Sequence, residues 1–255
     1  MNRFAYLCGV TFTVAGMLLA VNAVAEEKSP ASEKKTAVDP SGTWRWEHEE
    51  GGETVKDVLK LNFDGKKVSG TYQGRRGPYE IVEGKIEQDQ ISFGFSVEFE
   101  GQTIEIKFAG KIKGDNVDGT VSMKSDEGAR DYPWVADRGL ESSDTVGTWK
   151  MAIELPDGNV LTPQLKLSLS DDKKELKGEY TSNDAELDVS EIQVKNNKLF
   201  FKISGDFGGS TLTANYKVQP RGDKLAGEIE YDFNGQTGEL EVTGKRETEK
   251  KKDTK

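Results

Sequence analysis

The chain repeats itself. Gly42-Thr43-Trp44 recurs as Gly147-Thr148-Trp149, Leu59-Lys60-Leu61 as Leu165-Lys166-Leu167, and Gly70-Thr71-Tyr72 as Gly178-Glu179-Tyr180. Gly119 in Val117-Asp118-Gly119 matches Gly227 in Leu225-Ala226-Gly227, and Arg138 ends the first copy as Arg246 ends the second. The offset is 105 at the tryptophan, 106 at the leucine pair and 108 from Gly-x-Tyr onward, so the insertions fall early. Two copies of roughly 100 residues make tandem domains, not a solenoid of short units. They span 41–138 and 145–246, with a short polar connector at 139–144.

Within each copy the hydrophobic period is two. Ile91, Phe93, Phe95, Val97 and Phe99 alternate with Ser92, Gly94, Ser96 and Glu98; Leu225, Gly227, Ile229, Tyr231 and Phe233 alternate with Ala226, Glu228, Glu230 and Asp232. Such runs are strands with one buried and one wet face. Turn signals such as Asp64-Gly65, Gly114-Asp115-Asn116, Gly208-Gly209 and Asn234-Gly235 separate them. Each copy has eight strand-like runs and none long enough for a crossover helix. Short antiparallel strands leave exposed edges unless the sheet closes, so the fold class is all-β, with two tandem eight-stranded antiparallel up-and-down barrels. A pair of β-sandwiches is the alternative. Gly70, Gly119, Gly178 and Gly227 fall at inward positions, where a strand bends as closure requires.

Gly-x-Trp near the start of each copy and an arginine at its end resemble the calycin pattern of lipocalins and avidin-type barrels. The Gly-x-Tyr pairs are similar to avidin-like chains, and the whole is similar to short barrel modules of secreted bacterial proteins. The resemblance implies that Arg138 packs over Trp44, and Arg246 over Trp149, each pair closing one barrel end. It also implies a ligand-holding interior, although these copies have short loops and lack cysteines.

Residues 1–25 read as an export signal: Arg3, an apolar run from Phe4 to Ala20, then an Ala23-Val24-Ala25 cleavage pattern. Cleavage after Ala25 takes precedence over an uncleaved anchor, so a secreted or periplasmic protein without a transmembrane segment is expected. Residues 26–40 and 247–255 are charged and poor in apolar side chains, as in a disordered linker and a disordered tail. The one cysteine, Cys8, falls inside the signal, so the mature chain has no disulfide. The first copy carries 14 Lys and Arg against 19 Asp and Glu, the second 13 against 17. These mixed-sign acidic surfaces argue against a nucleic-acid partner, whose phosphates call for a basic face.

One histidine, His48, cannot complete a Cys/His metal set; it reads as exposed among Glu47, Glu49 and Glu50. No metal or other cofactor is expected. Of the many rings of the first copy, most are read as barrel filling, with Trp46, Tyr72, Tyr79 and Trp134 as the candidate ligand contacts at the open end. Arg75 and Arg76, in the loop Gly74-Arg75-Arg76-Gly77-Pro78, are candidates for an anion. Trp44, Arg138, Trp149 and Arg246 are structural closures. The function expected is a non-catalytic, exported binding module for a small apolar, sugar or anionic ligand, or for a protein or glycan partner. A spacer or docking protein of the cell envelope, with both barrels filled, is the second reading. A carboxylate-dependent carbohydrate-active enzyme is the third.

Overall fold

Apolar side chains at every second position form β1 (Gly42–Glu50), β2 (Glu53–Phe63), β3 (Val68–Gly74), β4 (Gly77–Glu80), β5 (Val82–Glu87), β6 (Gln90–Phe99), β7 (Gln102–Lys113), β8 (Asn116–Ser125) and β9 (Gly128–Arg138). The structure is a computed structural model that describes residues 37–126, 128–182 and 185–247. The expected signal segment, most of the linker and most of the tail lie outside the described residues. The second copy forms β10 (Gly147–Glu154), β11 (Val160–Leu161), β12 (Gln164–Leu169), β13 (Leu176–Ser182), β14 (Ala185–Lys195), β15 (Lys198–Phe207), β16 (Ser210–Arg221), β17 (Lys224–Phe233) and β18 (Gln236–Arg246).

Both copies are antiparallel barrels, which displaces the sandwich alternative. β4 and β5 are two arms of one bent strand, separated only by Ile81, whose N–H donates to the Gly70 carbonyl at 3.0 Å. One arm pairs with β3 and the other with β6, so eight strands go round. The ring shuts where β1 meets β9, at Trp44↔Arg138 and Arg45↔Asp137. In the second barrel β11 and β12 both pair with β10. They flank Pro163, which has no N–H to return to β10, while its carbonyl accepts from the Met151 N–H. Five residue pairs, from Trp149↔Arg246 to Ile153↔Val242, close that ring.

The two copies bend alike. One-residue register shifts fall between Val82 and Lys85 and between Ser190 and Gln193. Glu83 and Glu191, 108 positions apart, sit inside them at φ of 54°, as expected of bulges that turn a strand. A Cβ on Gly119 would lie 2.1 Å from the Ala109 carbonyl oxygen, and one on Gly227 2.2 Å from that of Lys217. Only glycine permits that approach of neighbouring strands.

Each barrel has its own core, one around Trp44, Leu59 and Phe108 and the other around Trp149, Leu165 and Tyr216. Between them the 139–144 connector is not purely irregular, because Ser142–Thr145 forms a one-turn helix, α1. The closed ends of the two barrels face one another across a polar seam. Asn197 accepts from the Leu140 N–H and donates to the Arg138 carbonyl, both at 3.0 Å. The Asp223 N–H donates to Asn62 Oδ1 at 2.7 Å, and Lys224 to the Phe63 carbonyl at 2.7 Å. Buried Asp144 binds Arg45 at 2.6 Å and Lys60 at 3.0 Å, tying the connector to the first barrel. With the closed ends occupied in this way, both open mouths point outward.

Candidate functional site

Among the described residues, the second barrel holds a cavity where the first is filled. A cavity of about 270 Å³ opens at the end bearing the Asn234-Gly235 hairpin. Leu155, Leu161, Phe233, Gln236 and Leu240 contribute at the mouth; Ile203, Ala214 and Ile229 line the wall, and Tyr180, Tyr216 and Ser182 are the buried polar groups. No charged side chain lines it among the described residues.

Strand register explains why the void exists here. The cross-strand pair Phe95↔Ile106 of the first barrel corresponds to Ile203↔Ala214 of the second, and Tyr72↔Tyr79 corresponds to Tyr180↔Leu187. Trp46, next but one after Trp44, corresponds to Met151. Three rings and a large aliphatic chain have become smaller, and the mouth has turned from His48 and Glu50 to Ile153 and Leu155. Elsewhere the exchange is compensated: Trp134 fits against Gly110 in the first barrel, and their counterparts are Val242 and Val218. Volume is therefore lost at the open end and conserved at the closed one.

The polar pair in the cavity has the same origin. In the first barrel the Tyr72 hydroxyl donates to buried Asp57 at 2.7 Å, and Asp57 is the cross-strand partner of Trp46. Pro163 stands opposite Met151 in the second barrel, so the position of Asp57 supplies no carboxylate to Tyr180. Its hydroxyl instead lies 2.7 Å from that of Tyr216, at the position of Phe108. Burial pushes the Tyr180 hydroxyl up to about 12, with the Tyr216 hydrogen bond acting against it. Burial and the Tyr180 contact push Tyr216 further above the ordinary tyrosine value. Both phenols are neutral hydrogen-bonding groups at physiological pH.

The ligand contacts expected in the first barrel are brought together there, but against one another. Trp46 stacks on Tyr72 with centroids 5.9 Å apart and meets Trp134 edge-on at 6.0 Å. Tyr79 stacks on Phe95 at 5.1 Å, and Phe95 on Tyr72 at 4.7 Å. The gap beside Trp44 and Trp134 has no room for a water molecule. Arg75 pairs with Glu53 at 2.9 Å; Arg76 pairs with Glu50 at 3.7 Å and lies 4.1 Å over the Phe99 ring. Both guanidiniums remain about half exposed at the surface. His48 is not simply an exposed histidine: its Nδ1 lies 2.6 Å from Asp57. Desolvation raises the Asp57 carboxyl, against the Tyr72 hydrogen bond and the His48 charge.

Asp57, Tyr180 and Tyr216 were not legible as site residues in a single strand. A copy-to-copy comparison of ring sizes at offset 108 carries the signal for the cavity, and for Asp57 the signal is its place in the inward alternation Val55, Asp57, Leu59, Leu61.

Fold and site together define a tandem closed β-barrel protein with a lumenal pocket in one barrel. No protein-family model and no curated protein matches the chain. Among solved structures it is similar to a candidate outer membrane protein of Bacteroides fragilis, at 12% identity and a TM-score of 0.30, covering 81% of this chain and 97% of that one. It is also similar to a Nostoc punctiforme protein of unknown function from the DUF3598 family, at 11% identity and a TM-score of 0.28, covering 85% and 99%. Likeness of this degree leaves the functional reading to the barrels' own geometry.

Proposed function

We propose that this is a non-catalytic, exported binding protein whose second barrel encloses a small apolar molecule. The observation that carries the reading is the 270 Å³ lumenal cavity of the second barrel, set against a first barrel filled by rings at the corresponding positions. An occupant of this open, apolar-walled cavity would remove lining side chains from water, at about 25 cal/mol per Å² of apolar surface covered. An apolar cavity of about 150 Å³ accepts benzene; by proportion this one takes roughly ten carbon-sized atoms. Apolar walls favour such a molecule over a sugar, whose hydroxyls need partners throughout. A non-catalytic role accords with a lumen holding two neutral phenols and with buried carboxylates, Asp57 and Asp144, that are engaged by internal partners. The export segment read at 1–25 supports binding outside the cytoplasm, and mass spectrometry of the mature protein is expected to find its N-terminus at Glu26.

The first barrel supports a second, complementary role. Filled and hydrogen-bonded end to end with its neighbour, it serves as a spacer or docking surface of the cell envelope.

Thermal-shift measurement with small aromatic and aliphatic hydrocarbons tests the binding reading, since a ligand bound only by the folded state raises Tm by mass action. The wild-type protein is expected to respond. A double variant that restores the first-barrel residues, Ile203→Phe with Ala214→Ile, is expected to be silent. Equal responses from both proteins, or none from either, would refute lumenal binding.

A further inference from the structure

The cavity has an address within it. Tyr180 and Tyr216 lie 4% and 3% exposed deep in the lumen, with their oxygens 2.7 Å apart. A hydroxyl–hydroxyl contact uses one proton, whichever tyrosine donates. The second phenolic proton has no acceptor among the described residues, and both side chains line the void. An apolar cavity with one unspent donor is selective: an occupant that supplies an acceptor there removes the cost of a buried, unsatisfied O–H. A water molecule entering from the mouth competes for that donor, and a ligand acceptor displaces it with a gain in apolar contact elsewhere in the lumen.

Charge narrows the choice further. No Lys, Arg or His lines the cavity among the described residues. A carboxylate or phosphate would therefore be buried without a counter-ion, at a cost of several kcal/mol. A cation would likewise meet neutral phenols rather than phenolates. The occupant must be uncharged.

Resting on the proposal that the second barrel binds a small apolar molecule, we infer that its ligand is a neutral compound of roughly ten heavy atoms that carries one carbonyl-type acceptor, received by the Tyr180–Tyr216 hydroxyl pair. Ketones, aldehydes, esters and lactones of that size belong to this class, whereas fatty acids as their anions do not. Ser182, also buried in the lining, stands two residues along β13 from Tyr180, and its hydroxyl offers a further polar contact on the same face.

The test compares three probes of nearly equal shape on the mature protein by calorimetry or ligand-observed NMR. They are acetophenone, ethylbenzene as its acceptor-free counterpart, and benzoate as the charged one. Acetophenone is expected to bind about three- to tenfold more tightly than ethylbenzene, the worth of one net hydrogen bond, and benzoate at least tenfold more weakly than acetophenone. Either single Tyr→Phe variant leaves one hydroxyl free to donate and retains the preference. The double variant Tyr180→Phe with Tyr216→Phe replaces both partners by apolar groups of the same shape, and it is expected to bind ethylbenzene as before while losing the preference. Equal affinity for acetophenone and ethylbenzene in the wild type, or tight benzoate binding, overturns the head-group inference but leaves the cavity reading standing. Failure of all three probes to bind overturns the cavity reading itself. Because the wild-type comparison needs no substitution, the result holds whether or not the double variant folds.

Discussion

The guanidinium carbon of Arg246 lies 4.2 Å from the centroid of the Trp149 ring, and the indole N–H of the same ring donates to the Thr145 carbonyl at 2.9 Å. Arg138 and Trp44 repeat the relationship at 4.4 Å, with the Trp44 N–H on the Pro40 carbonyl at 2.9 Å. Arg246 also donates to the Asp144 and Val146 carbonyls at the chain's entry into the second barrel. One side chain thus caps the core, joins the last strand to the first and holds the connector in place.

Arg246→Met keeps much of the packing but loses the charge and its donors. A cation–π contact is worth about 0.5–2 kcal/mol and a hydrogen bond from a charged group about 1.5–3. Urea denaturation is expected to show a loss of about 2–4 kcal/mol, with Arg246→Lys intermediate because an ammonium cannot serve two carbonyls and lie flat on the ring.

Gly227→Ala puts a methyl group 2.2 Å from the Lys217 carbonyl oxygen, where no side chain can yield. Overpacking of this kind costs about 1–3 kcal/mol, and the backbone contact sets the expected value near the top of that range. A variant as stable as the wild type in thermal melts would mean that the two strands have freedom to separate.

The cavity can be filled from the protein's own first copy. Ile203→Phe with Ala214→Ile is expected to raise stability by about 0.5–2 kcal/mol, the usual gain from filling a void, while removing ligand binding. The opposite exchange in the first barrel, Phe95→Ile with Ile106→Ala, opens a hole among stacked rings. It is expected to cost about 3–5 kcal/mol by large-to-small scaling, read by the same melts.

Asp144 and Asp57 predict opposite pH slopes. Burial raises the Asp144 carboxyl, but the Glu141 N–H and the Arg45 and Lys60 charges outweigh it and hold the group below 3.8. The unfolded chain then binds the proton more tightly, so the stability Asp144 contributes is present above about pH 4 and drains away as pH falls through its folded value. Asp57 is raised by burial, so its contribution is largest in acid and declines as pH rises through its folded value. Denaturation curves at several pH values should show the wild type losing its advantage over Asp144→Asn on acidification. Against Asp57→Asn the trend should reverse.

Much of the architecture was legible in local chemistry. Alternation along Ile91 to Phe99 requires a strand with one wet face, and that run is β6; the Asp64-Gly65 and Asn234-Gly235 signals fall at hairpins. The helix Ser142–Thr145 was not legible, since a single turn has no hydrophobic period to detect. Asp57 shares the inward face of β2 with Val55, Leu59 and Leu61, but only the tertiary structure shows that Tyr72 and His48 meet its carboxylate there. The first-barrel rings were prominent as residue types, yet a ring that contacts a ligand and a ring that contacts another ring have the same sequence.

By itself the sequence determined that this chain makes two similar all-β halves, because strand period, turn chemistry and inward glycines are written in neighbouring residues; that each half closes as a barrel and not as a sandwich needed the strand pairing. Which barrel stays hollow was decided by tertiary structure. A void is the difference between the space eight strands enclose and the summed volumes of side chains brought from all of them, and the same convergence sets one tyrosine hydroxyl beside another 36 positions away.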